Sequence, residues 1–186
     1  MPPTNEIARM NSLGEILRQQ IDDMKFLHIA TTLFLLVTPA TAGPVETTQL
    51  LDLIESTGTT VSFNSNTFDE SCVGKAGYYS FEADVEDLFV VCSDNVDTDD
   101  PDALWEAVAH EATHVMQACL GGLVFDQEYL PRTFREIERK APHYAKLLDD
   151  KYTGKDTALE AEAFWMELQP PAEVINYFKQ ACFSQE

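Results

Sequence analysis

Basic side chains are scarce in this chain: 12 lysines and arginines stand against 32 aspartates and glutamates, a net charge of −20 at pH 7 over 186 residues. Binding phosphates needs a basic patch, so nucleic acid is excluded as a partner. The first 42 residues hold four acidic and three basic side chains, so the acidity belongs to residues 43–186. The longest apolar stretch, residues 26–37, is too short to span a bilayer as a helix, which needs about 20 residues. Cysteine is limited to Cys72, Cys92, Cys119 and Cys182, with no C-x-x-C spacing, and this excludes a zinc site built from thiolates. Histidine is limited to His28, His110, His114 and His143.

What is present begins with a processing signal. Met24-Lys25, the apolar residues 26–37 and the small-residue pattern Ala40-x-Ala42 read as a secretory signal peptide cleaved near Ala42. Residues 1–23 carry Asp22-Asp23 where such a signal is normally basic, and are read as a misassigned or disordered extension. Residues 43–186 then form one domain, secreted or periplasmic and without a membrane segment. An even number of cysteines suits an exported disulfide protein. Of three connectivities, Cys72–Cys92 and Cys119–Cys182 are favoured: the first pair flanks an apparent β-hairpin, and the second ties the last helix to the central one.

Apolar residues at helical spacing predict a helix over 49–56, and residues 60–63, 76–81 and 88–92 read as strands. Residues 100–120 carry helix signals at both ends: Asp100 or Asp99 as N-cap, Pro101 at the first position, and Gly121-Gly122 as a stop. Further helices are expected over 132–140, 143–150, 158–168 and 172–182. This is an α+β order with the strands first. The acidic run 94–100 could hold calcium, but it lacks the glycine and terminal glutamate of an EF-hand loop, so capping and turn formation are preferred. Trp105, Tyr129, Phe134 and Trp165 are assigned to the core.

Within the helix over 100–120 lies His110-Glu111-Ala112-Thr113-His114, an H-E-x-x-H pattern. Two histidines four apart share one helix face and reach one metal, and Glu111 stands where it can take a proton from an activated water. Zinc needs a third protein ligand. The extended pattern with a third histidine is absent, because Gln117 and Leu120 occupy its glycine and histidine positions. Carboxylates on the helix over 158–168 are the better candidates. Glu160 and Glu162 lie about 200° apart around that helix, so only one of them faces the metal.

With these residues the chain resembles the zincin group of metallopeptidases and, within it, the gluzincin-like families, whose third ligand is a glutamate on a later helix, often written E-x-x-A. Glu160 with Ala163 matches that spacing, which favours Glu160, with Glu162 as the alternative. The resemblance covers two helices. It implies a secreted Zn2+ metallopeptidase acting on a peptide or protein substrate, with His110, His114 and Glu160 as ligands and Glu111 as catalytic base. It also implies a small sheet ahead of the active-site helix, whose edge strand holds an extended substrate. Residues 88–92 are a candidate for that strand, with an ordinary core strand as the alternative. Tyr144, Tyr152 and His143 are available to steady the oxyanion, though each reads first as a packing or surface residue. The alternative function is a secreted, disulfide-stabilised binding or inhibitor module whose metal site is non-catalytic or absent.

Overall fold

The computed structural model describes residues 43–81 and 86–184; the expected extension over 1–23 and signal peptide over 24–42 lie outside them. Among the described residues there are six α-helices and a three-stranded sheet, a mixed α+β arrangement. Helix α1 (Pro44–Ser56) leads into β1 (Thr60–Asn64), β2 (Gly77–Ser80) and β3 (Leu88–Cys92). Then come α2 (Pro101–Leu120), α3 (Leu130–Lys140), α4 (Pro142–Lys151), α5 (Lys155–Glu167) and α6 (Pro171–Phe183). No helix among the described residues is long and apolar enough to cross a membrane.

The sheet order is β1-β3-β2, with β1 parallel and β2 antiparallel to β3. Residues 88–92 therefore form the central strand and are not an edge. Leu88-Phe89-Val90-Val91-Cys92 is apolar without alternation because both of its faces are covered. Phe89 and Val91 join the main core, and Val90 and Cys92 pack with Cys72, Tyr78 and Leu88 on the other side. The edge positions fall to β1 and β2 instead.

The 20-residue helix α2 forms where its end signals place it. The Asp100 carboxylate accepts the Asp102 N–H at 3.0 Å, Pro101 takes the first turn, and Gly121 closes the helix at φ 67°, a left-handed conformation that glycine adopts without strain. Asp97 and Asp94 likewise accept the N–H groups of Asp99 and Asn66, so these acids of the 94–100 run serve turns and caps. Trp105, Val108, Ala112, Val115 and Met116 bury one side of α2 against α1, β3 and α6, through Leu50, Ile54, Phe89, Val174 and Phe178. A smaller cluster of Ile137, Leu148, Ala161 and Phe164 joins α3, α4 and α5.

Both expected disulfides are present. Cys72–Cys92 has Cα atoms 5.3 Å apart and ties the turn before β2 to the end of β3. Cys119–Cys182, at 5.2 Å, ties the end of α2 to the end of α6. One core assignment needs correcting. Trp105 is buried, and Phe134 packs on the smaller cluster, but Tyr129 is 52% exposed and lines a surface groove with Trp165, Phe125 and Tyr177. Tyr129 belongs to a short 3-10 turn that leads into α3, outside the layer where α2 and α5 bury their aromatics.

Candidate metal centre

Helices α2 and α5 pack along each other and bring the two halves of the predicted site together. His110 and His114 sit one turn apart on α2, and their Nε2 atoms face the Glu160 carboxylate of α5 at 3.4 and 3.8 Å. One ligand atom from each of the three side chains falls within 4.8 Å of the others. Two atoms about 2.0–2.1 Å from one zinc ion at a tetrahedral angle are about 3.3–3.4 Å apart, so the spacing suits shared coordination. Glu160 Oε2 is buried and makes no hydrogen bond, its one ion-pair neighbour among the described residues being His110 Nε2 at 3.4 Å. A carboxylate oxygen is costly to leave in that state. Two imidazole nitrogens and one carboxylate oxygen are also the donor set that zinc accepts, so the residues fit the metal.

The alternative ligand, Glu162, points elsewhere. It is 1% exposed and accepts hydrogen bonds from the Val124 and Phe125 N–H groups at 2.8 and 2.9 Å, and from Gln117 Nε2 at 3.1 Å. Its two-residue offset from Glu160 carries it around the helix, as the 100° step of an α-helix requires.

Each histidine is held from behind at Nδ1. His110 Nδ1 meets Glu167 Oε1 at 2.6 Å, and His114 Nδ1 meets Gln117 Oε1 at 2.8 Å. Phe164 packs edge-on against His110, with ring centroids 4.8 Å apart. The sequence reading named none of these partners. Glu167 lies seven residues after Glu160, two turns along the same face, a signal that gains meaning only once α5 is laid against α2. Gln117 stands three residues after His114, where a helix brings side chains together.

The electrostatics divide the site. Burial alone would lower the His110 imidazole, but Glu160 and Glu167 outweigh it and lift it to about 10. Burial and the neighbouring His110 push His114 down. Burial works to raise Glu160, yet His110 and His114 hold it below the usual carboxylate value. Burial lifts Glu111 to about 7, against the attraction of His110, so its carboxyl exchanges a proton near neutrality.

Glu111 is 7% exposed and lies under β2. A Cβ on Gly77 would come within 2.9 Å of Glu111 Cγ and 2.7 Å of the Val90 carbonyl oxygen. Only glycine lets the edge strand approach this closely, a role that the sequence reading did not assign. The candidate ligands, Glu111, Gly77 and Tyr79 all line one cleft of about 820 Å³. Tyr144 and Tyr152 line it too, so two of the three proposed oxyanion donors stand at the site, and His143 is not among the cleft residues. Burial, followed by the nearby Glu160 carboxylate, raises the Tyr152 phenol to about 12, which keeps it a hydrogen-bond donor at neutral pH.

No curated protein and no solved structure matches the chain. Residues 33–183 match one family model, a stretch that spans α1 to α6 and includes every residue of the candidate metal centre. The chain belongs to the family described as Domain of unknown function (DUF8637).

Proposed function

We propose that the protein is a zinc-dependent hydrolase of zincin-like type, most specifically a metallopeptidase, and that it works outside the cytoplasm. The convergence of His110, His114 and Glu160, with an orphaned buried carboxylate oxygen among them, carries this reading. His110, His114 and Glu160 would hold the zinc ion, which would supply the charge to polarise a scissile carbonyl and acidify a water. Glu111, buried beside these side chains, would take the proton from the attacking water and later return it to the leaving amine. Tyr152 and Tyr144 line the same cleft, and their hydroxyls are the candidates to bond the carbonyl oxygen as it gains charge.

The outer edge of β2 suits an extended peptide, because the strand pairs only with β3 among the described residues and lines the cleft beside Glu111. Two disulfides and the absence, among the described residues, of a membrane-crossing helix are compatible with an exported protein. The test is hydrolysis of a peptide library by the zinc-loaded, oxidised protein, with Glu111→Gln as the control. Wild type is expected to cleave, and Glu111→Gln to keep its zinc while losing about 10²–10⁴-fold in rate. A folded, zinc-loaded wild type that cleaves nothing would favour the binding-module alternative.

A further inference from the structure

Glu162 and Gln117 are buried polar side chains next to the candidate centre that the proposed chemistry does not use. Burying a carboxylate is costly unless donors compensate, and Glu162 gathers three: two backbone N–H groups from residues 124 and 125, and the amide of Gln117. The same Gln117 Nε2 also donates to the Leu159 carbonyl at 3.0 Å. With two acceptors at its NH2 end, the amide has only one satisfied orientation. Its oxygen must point the other way, and there it meets His114 Nδ1 at 2.8 Å. A carbonyl oxygen only accepts, so Nδ1 must carry the hydrogen. The remaining nitrogen, Nε2, then has its lone pair free on the side that faces Glu160.

We propose that Glu162 and Gln117 are positioning residues that lock His114 in its Nδ1–H tautomer and so present Nε2 as the metal ligand. Neutral histidine in water favours the opposite tautomer, with the hydrogen on Nε2, which would block coordination through that atom. The lock is anchored in the chain beyond α2, because Val124 and Phe125 set the carboxylate that sets the amide. His110 needs no such relay, since an acceptor-only carboxylate, Glu167, faces its Nδ1 directly.

This inference rests on His114 being a ligand, but its decisive readout is taken without metal. Two-bond ¹H–¹⁵N correlation spectra of the oxidised, metal-free protein above neutral pH assign the His114 tautomer, with His114→Ala identifying the signals. Wild type is expected to show hydrogen on Nδ1. In Gln117→Leu, His114 is expected to revert towards Nε2–H, with zinc affinity falling about 10–100-fold. Hydrogen on Nε2 in the wild type, or a His114 pattern unchanged in a folded Gln117→Leu, would overturn the proposal. Should Gln117→Leu fail to fold, the wild-type spectrum decides alone. A wild type with the Nδ1–H pattern that binds no zinc would remove the hydrolase reading and leave the tautomer lock standing.

Discussion

His110 and His114 are the same side chain, one helical turn apart on one helix, yet the molecule supports them by opposite means. His110 is clasped between two carboxylates, Glu160 at Nε2 and Glu167 at Nδ1, and its imidazole is lifted to about 10. His114 is backed by a neutral amide, and burial pushes it down. Without metal, then, His110 holds its proton at neutral pH, whereas His114 is neutral. Under the proposed metal reading, charge would prepare one ligand and hydrogen-bond direction the other.

The comparison is broken most completely by removing a ligand. His114→Ala or Glu160→Ala is expected to abolish stoichiometric zinc binding, since two remaining side chains do not hold zinc in a site of this kind. A smaller effect is expected on the charged side alone: Glu167→Gln should weaken zinc binding about 10–100-fold, read by competition with a chromophoric chelator. The same change should lower the His110 imidazole in the metal-free protein, measured by NMR titration. A Glu167→Gln protein whose His110 titrates as before would contradict the clasp.

The pH dependence sharpens the contrast. A histidine raised from 6.5 in the unfolded chain to about 10 in the fold stabilises the metal-free protein fully below pH 6.5, and loses that contribution as pH rises through 10. The thermal midpoint of the metal-free wild type is therefore expected to fall across that window, more steeply than in Glu167→Gln. Zinc affinity is expected to rise across it, because His110 must be neutral to ligate. The smallest effect on the metal is expected from Gly77→Ala, which overpacks β2 against Val90 and Glu111. Overpacking of this kind costs about 1–3 kcal/mol of stability, measurable by denaturant unfolding, with zinc stoichiometry unchanged.

Much of this architecture is legible in the sequence, and the reasons are local. Asp100, Pro101 and Gly121 mark the ends of α2 because caps depend on neighbouring residues, and H-E-x-x-H names three site residues because its spacing is that of one helical turn. The 200° offset between Glu160 and Glu162 already says that the two face different ways, and the fold sends Glu160 to the histidines and Glu162 to residues 124 and 125. What lay hidden depends on how distant segments meet. The central place of β3 comes from β1 returning parallel beside it, and a buried apolar strand has no local mark that distinguishes it from an edge. Glu167, Gln117 and Gly77 acquire their roles only from α5 and β2 lying against α2.

The most direct test of the metal centre is zinc stoichiometry at saturating zinc for the oxidised chain from Gly43, compared across wild type, Glu160→Ala and Glu162→Ala. The account predicts about one zinc per chain in wild type and in Glu162→Ala, the latter with weakened affinity, and none in Glu160→Ala. A well-folded wild type without zinc, or a Glu160→Ala protein that keeps a full equivalent, would contradict it.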